Sequence, residues 1–436
     1  MKDARKIGLL VLLATLSAIA TLAFLSPACS KKTSASGSAS RSLPADFPSG
    51  KPYFVRVPPP TDWNWLSKPP RSFDKARKWG PLYELRHADL SQLDLTDHAS
   101  DLLNSFFDTE TKWPAALPQA FDPAKILESN RNPGLGLRAL HSLGITGKGV
   151  AAAVIDTPIL LDHDEYAGRL RFYDEVNAWG AANFHGTLVT SILAGRTCGV
   201  APEAEIYYIG IHNYDISPED DSMAPNARHY ARAVDELLEI NARLPREKRI
   251  RVISISAGWS PANPGFRTMN KAVRKATEAG IFVVSANMFD AFESGFWFWG
   301  LDRSSTDSPD DPDVYHVISW KDWISEVAVE EFPKFYERRL ERSKSPEFLL
   351  VPVGSKTVAH PHGRSEYGFY RMGGWSSLCP YIAGLYALAC QVKPDITPEV
   401  FWKAGLATGD PMPVKKGEKT YAGKRVNPVR LIGSLK

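Results

Sequence analysis

From about residue 131 onward, apolar positions fall into short unbroken runs that alternate with longer stretches of helical spacing. Val150-Ala151-Ala152-Ala153-Val154-Ile155 follows a Gly147-Lys148-Gly149 turn and has strand length. Ile206-Tyr207-Tyr208-Ile209, the stretch from Val252 to Ser256, and Ile281-Phe282-Val283-Val284 read the same way. Between them, His185 to Leu193 predicts a helix with Leu188, Val189, Ile192 and Leu193 on one face, stopped by Gly195. Residues 226–244 predict an amphipathic helix with Tyr230, Val234, Leu237, Leu238 and Leu244 inward, and 267–279 another with Met269, Ala272, Val273 and Ala276 inward. Residues 376–390 are apolar nearly all round, which predicts a central, buried helix. Thr397-Pro398 starts a last helix around Phe401 and Trp402. Apolar strands between helices predict an α/β fold, a mostly parallel sheet covered on both faces. Residues 286–366 are aromatic-rich and show no clear period.

The first 130 residues follow other rules. Lys2, Arg5 and Lys6 precede the apolar run Ile7 to Leu25, and Ser26-Pro27-Ala28-Cys29 follow, the order of a secretory signal. The run is also close to membrane-spanning length. Cys29 and the Ser/Lys stretch after it resemble the lipidation site of bacterial lipoproteins, with Ser26 where those sites usually carry Leu. Residues 1–29 are thus expected to export the chain, as a signal peptide, a lipoprotein signal or a membrane anchor. Residues 30–72 read as a tether, flexible and Ser-rich at first and stiffened later by Pro58-Pro59-Pro60 and Pro69-Pro70. Residues 73–130 carry partial order at Leu90, Leu93, Leu95, Leu102, Leu103, Phe106 and Phe107, as a pro-segment or an arm packed on the main domain, which occupies 131–436.

Composition narrows the function classes. An apolar content of 44% over 436 residues allows a large core. A net charge of +3 with no dense Lys/Arg run argues against a nucleic-acid partner. If Cys379 and Cys390 share a helix they stand roughly 16 Å apart, too far for a disulfide, so they and Cys198 are expected to be small buried residues.

Three residues carry the chemistry. Asp156 ends the first strand, where parallel sheets gather functional side chains; the same Asp would equally serve as a turn or helix cap. His185 opens a helix as His185-Gly186-Thr187, and its imidazole titrates near neutral pH; Gly186 permits close approach of another chain. Ser376 sits in Gly374-Trp375-Ser376-Ser377 at the head of the apolar helix, beside unpaired N–H groups and the positive end of the dipole. A hydroxyl there needs a base to become a nucleophile, and a serine at a helix start also serves as an N-cap. The chain order Asp, His, Ser differs from the orders of chymotrypsin-type and α/β-hydrolase triads, and no G-x-S-x-G elbow surrounds Ser376.

The segments Gly144 to Val150 and Val154-Ile155-Asp156-Thr157 resemble the Asp motif of subtilisin-like serine peptidases. His185-Gly186-Thr187 followed by Gly199 to Ala204 is similar to their His motif, Val252 to Ser256 to their substrate-lining strand, and Ser376 through Pro380 to Gly384 to their Ser motif. The resemblance covers roughly residues 131–408. It implies a subtilisin-like three-layer αβα fold and a serine endopeptidase that forms an acyl-enzyme through Asp156, His185 and Ser376. It also implies a peptide or protein substrate bound as an extended strand against Ser254–Gly258. Asn287, in Ser285-Ala286-Asn287, stands nearest to the family's oxyanion donor. Pro158 replaces a usual glycine, Trp375 is bulky enough to reshape the cleft, and Ser377 is a neighbouring register choice that the spacing to Pro380 settles for Ser376. No cofactor is required and no catalytic metal is expected. Asp307, Asp310, Asp311 and Asp313, or Asp162 and Asp164, would at most hold a structural calcium, and a solvated loop explains them without one. Phe296-Trp297-Phe298-Trp299 reads as pocket lining or core. The alternatives are a catalytically inactive domain of the same fold that binds peptides or proteins, and an exported ligand-binding α/β protein in which the three residues lie far apart.

Overall fold

The computed structural model describes residues 41–42, 53–58, 78–79, 82–217, 219, 222–259, 261–286, 296–318, 346–416 and 418–436. The leading apolar run, Cys29, nearly all of the tether and Asn287 lie outside the described residues.

Five parallel strands form the central sheet: Ala151–Asp156 (β1), Leu170–Val176 (β2), Glu205–Ile211 (β3), Ile250–Ile255 (β4) and Phe282–Ser285 (β5), in the order β5-β4-β1-β3-β2. Alternation along each strand splits the core in two. Ala151, Ala153, Ile155, Ile209 and Ile253 face one side, under Arg228–Arg243 (α2) and Phe266–Glu278 (α3). Ala152, Val154, Tyr208, Val252 and Val284 face the other, under Phe184–Ala194 (α1) and Trp375–Val392 (α4). The result is the expected three-layer αβα arrangement. Of the inward positions read from helical spacing, Tyr230, Val234, Leu237, Met269, Ala272, Val273 and Ala276 are buried, while Leu238 and Leu244 are partly buried against the same core.

Three parts of the fold differ from the reading of the sequence, the first being β2, an edge strand of the central sheet that the sequence reading did not include. Within 286–366, Trp297–Asp302 (β6), Glu347–Pro352 (β7) and Lys356–Ala359 (β8) are strands, and Lys419–Arg425 (β10) joins β6 and β7 in a second, partly parallel sheet. Phe298 and Trp299 of β6 are core residues. Strands buried on both faces give no alternation to detect. The arm residues Leu82–Glu84 and Ser105–Asp108 are also strands. The second of these pairs antiparallel with Tyr367–Tyr370 (β9), placing Phe107 opposite Phe369. The arm leucines Leu90, Leu95 and Leu102 pack around Phe107 and Phe369, so this stretch shares one sheet with the β8–β9 hairpin. Among the described residues no helix is long and apolar enough to cross a membrane.

Helix α4 is the axis of the molecule, with every side chain from Ser377 to Cys390 buried. Cys198, Cys379 and Cys390 are free and buried, as expected. Its middle lies against α1 closely enough that a Cβ on Gly384 would stand 2.6 Å from Val200 Cβ. Its N-terminal end is fixed by a proline. Pro380 lies one turn beyond Ser376 and brings no N–H, so the Ser376 carbonyl loses its intrahelical partner. Ser256, the residue after β4, replaces it: its Oγ donates to the Ser376 carbonyl oxygen at 2.8 Å. In return Ser376 Oγ donates to the Ser256 carbonyl oxygen at 3.1 Å. This reciprocal pair pins the first turn of α4 to the end of a central strand. Ser256→Ala should leave the Ser376 carbonyl without a partner and cost about 1–3 kcal/mol. Pro380→Ala restores a backbone N–H to the same oxygen, so Ser256→Ala should cost less in that background. Thermal midpoints of the wild type, both single variants and the double variant measure the coupling; strictly additive losses would argue against the shared carbonyl.

Candidate active site

Asp156 ends β1 and is buried, 6% exposed. Its Oδ1 accepts from the Thr157 N–H at 2.8 Å and faces His185 Nδ1 at 2.7 Å. The imidazole is oriented by the start of α1. Asn183 caps that helix, its side chain accepting from the His185 N–H at 2.9 Å. Thr157 Oγ1 accepts from the Gly186 N–H at 3.0 Å. Gly186 is required by crowding: a Cβ there would lie 2.1 Å from the Thr157 carbonyl oxygen and 2.3 Å from Tyr208 Oη. The close approach anticipated at this glycine is thus between the head of α1 and the end of β1.

Burial works against a charged imidazole at His185, but the charge and hydrogen bond of Asp156 outweigh it and hold the pKa above the ordinary value. An imidazole whose Nδ1 is tied to a carboxylate presents Nε2 as its free basic atom. The cleft beside it is lined by Thr157, Asn183, Phe184, His185, His212, Asn213 and Tyr214. His212, just past β3, was not evident from the sequence. Burial pushes its pKa down to about 4, so it is neutral, and its ring stacks on Trp179 with centroids 4.1 Å apart.

Ser376 is the second residue of α4 and half-buried, whereas Ser377 is buried. The first N–H groups of a helix have no partner within it, and they carry the positive end of the dipole. The Ser376 hydroxyl is bonded to the Ser256 carbonyl, and no hydrogen bond joins it to His185 among the described residues. Trp375 is half-buried and meets Trp299 edge-on at 5.6 Å, so its ring is part of the packing under the helix head.

The expected substrate edge at Ser254–Gly258 needs correction. Ser254 and Ile255 are paired on both sides, Ile255 with Ile155 of β1 and with Ser285 of β5. They offer no open edge, and only Ala257 and Gly258, beyond the strand end, are partly exposed backbone.

The acidic residues thought of for calcium are engaged locally. Asp310 accepts from Asn132 Nδ2 and the Gly136 N–H, Asp311 caps a short 3-10 turn, and Asp164 pairs with Arg364 at 3.0 Å. A different group has metal-ligand character: the rings of His87, His360 and His362 converge with their ligand nitrogens within 4.8 Å of one another. Its only local trace in the sequence is His360-Pro361-His362; His87 is far away along the chain.

The subtilase family profile matches residues 147–408, more than half of the chain. The chain is 24% identical over 285 residues to the subtilisin-like protease PopC of Myxococcus xanthus, covering 60% of this chain and 56% of that protein. It is 29% identical over 167 residues to an extracellular serine proteinase of a Thermus species, covering 37% of each. With subtilisin-like protease 3 of Trichophyton tonsurans it shares 31% identity over 145 residues, covering 32% of this chain and 33% of that protein. The matches therefore span about half, or less, of these relatives' lengths. The solved structure of the prenylagaramide maturation protease PagA aligns at 19% identity with a TM-score of 0.46, covering 69% of this chain and 98% of that one. On the extent of the family match and the parallel αβα architecture together, the protein belongs to the subtilase family.

Proposed function

We propose that the chain is a serine endopeptidase acting through Asp156, His185 and Ser376. The observation that carries this reading is the 2.7 Å contact between His185 Nδ1 and Asp156 Oδ1 at the head of α1, with Ser376 at the head of α4 pinned to the adjoining strand end. In the proposed reaction His185 Nε2 takes the Ser376 proton as Oγ attacks the scissile carbonyl carbon. Asp156 holds the imidazolium, which then protonates the leaving amine, and water hydrolyses the acyl-enzyme by the same route. To engage the base, Ser376 Oγ turns away from the Ser256 carbonyl. A neutral hydrogen bond has a net worth of only about 0.5–1.5 kcal/mol, small beside the barrier being lowered. The Ser376 backbone N–H, in the first turn of α4, would face the oxyanion. Asn287 is proposed as a further donor, whose removal would cost on the order of 3 kcal/mol. The peptide would lie extended along Ala257–Gly258. No cofactor is needed for these steps. The order of charged, apolar and small residues in 1–29 supports export, with attachment to a membrane through Cys29 or the apolar run itself.

The engagement of the Ser376 hydroxyl with Ser256 rather than with the base favours a second reading, a catalytically silent domain that binds peptides. A fluorophosphonate probe separates the two. Wild-type protein and Ser377→Ala should be labelled and Ser376→Ala should not; folded wild-type protein that takes no label would sink the endopeptidase.

The rate should also depend on pH in a defined direction. The base must be neutral, so kcat/KM should rise with pH through a midpoint above the ordinary imidazole value of about 6.5, because Asp156 stabilises the cation. Asp156→Asn removes that carboxylate. It should shift the midpoint downward and lower kcat on the order of 10⁴-fold. A midpoint that stays put in the variant would show that Asp156 does not act on the base.

A further inference from the structure

Three histidines converge, with Asp108 beside one of them, and the peptidase reading uses none of the four. His87 follows the arm strand Leu82–Glu84, and Asp108 ends the arm strand Ser105–Asp108. His360 and His362 stand in the turn between β8 and β9. His362 Nδ1 lies 2.9 Å from His360 Nδ1 and 3.0 Å from His87 Nε2. His87 Nε2 in turn lies 3.1 Å from Asp108 Oδ2. A nitrogen with one lone pair cannot bond two such neighbours equally well, so three imidazoles brought together in this way compete for His362 Nδ1.

Asp108 supplies the second, independent observation. Its carboxylate is 2% exposed. Oδ1 is fully used, accepting from the His87 N–H at 3.0 Å, the Glu110 N–H at 3.1 Å and Thr111 Oγ1 at 3.0 Å. Oδ2 is buried beside His87 Nε2 and takes part in no hydrogen bond. A buried carboxylate oxygen without a hydrogen bond is costly. A cation held by the three histidine nitrogens would bring a positive charge to the neighbourhood of this oxygen.

Donor chemistry selects the cation. Three imidazoles suit zinc and its neighbours in the first transition row, not calcium or magnesium, which take oxygen ligands. Ligand atoms around a tetrahedral zinc with Zn–N of 2.0–2.1 Å stand about 3.3 Å apart. The nitrogen separations of 2.9 and 3.0 Å are close to that spacing. Asp108, next to His87, is itself held by two backbone N–H groups and a threonine hydroxyl, as carboxylates beside a ligating histidine commonly are. The neighbouring Arg86 charge is neutralised by Glu84, which accepts from Arg86 Nε at 2.7 Å.

We propose that His87, His360 and His362 form a structural zinc site, with Asp108 beside His87. One of its ligands comes from the arm, before the family match at 147–408, and two from the hairpin within it. The ion would cross-link segments far apart in sequence and tie the arm to the body of the protein. The hairpin it grips carries Tyr370, whose ring is parallel to Phe184, the neighbour of His185, with centroids 6.4 Å apart. Arg86 donates to Tyr370 Oη at 2.6 Å and lies 5.7 Å from the centre of the Phe184 ring. The clamp is therefore linked through Arg86 and Tyr370 to Phe184 at the head of α1. It does not depend on the peptidase assignment.

The test uses the full chain, stripped with a chelator and titrated with zinc chloride by calorimetry, with bound metal counted by elemental mass spectrometry. One zinc per chain is expected, together with a rise in thermal midpoint on loading. Substituting cobalt(II) should give the intense visible bands of a tetrahedral ion. His360→Ala/His362→Ala should bind at least tenfold more weakly and lose the midpoint shift. If that hairpin variant fails to fold, His87→Gln, on the arm, should show the same loss. A wild-type chain that takes up no zinc, or variants that bind it as the wild type does, would overturn the site.

Discussion

The arrangement of the candidate site depends on one missing N–H. Pro380 removes the partner of the Ser376 carbonyl, and a carbonyl at the head of a buried helix must find another. Ser256 supplies it from the end of β4, and the Ser376 hydroxyl returns a bond to Ser256. A helix otherwise held by apolar contacts, which are not directional, thereby gains a fixed rotation and height against the sheet. The position of Ser376 relative to Asp156 follows, because β4 and β1 are hydrogen-bonded neighbours with Ile255 opposite Ile155.

His185 is placed by a separate set of constraints that meets the same end of the sheet. Asn183 caps α1, Thr157 receives the Gly186 N–H, and the absence of a Cβ at Gly186 lets the helix close on the Thr157 carbonyl. Each contact is local to the end of β1. The acid and the imidazole are therefore held as one unit, while the serine belongs to another helix. The proposed chemistry asks the Ser376 hydroxyl to turn from Ser256 toward His185.

Legibility followed burial geometry. Four of the five central strands and the four helices were readable because apolar runs alternate with 3.6-residue spacing, and most inward positions of α2 and α3 match it; the edge strand β2 was not, because polar residues interrupt its apolar positions. Asp156, His185 and Ser376 were readable as motifs, and the structure brings the first two into contact. β6 and β7 were not, since strands covered on both faces show no alternation. The supposed edge at Ser254–Ile255 was misplaced because a run of residues does not reveal how many neighbours a strand has. The histidine cluster was least visible. Its members lie in two turns, and a turn has no period to betray which distant turn it will meet.

The antiparallel pairing of Ser105–Asp108 with β9 has a consequence for the edge of the sheet. That arm strand shares a ladder with the body of the protein. Removing it would bare the backbone of Tyr367–Tyr370 along one side and uncover Phe369, and a naked ladder of that kind invites pairing with other chains. The arm thus doubles as a cover for an edge that would otherwise be sticky.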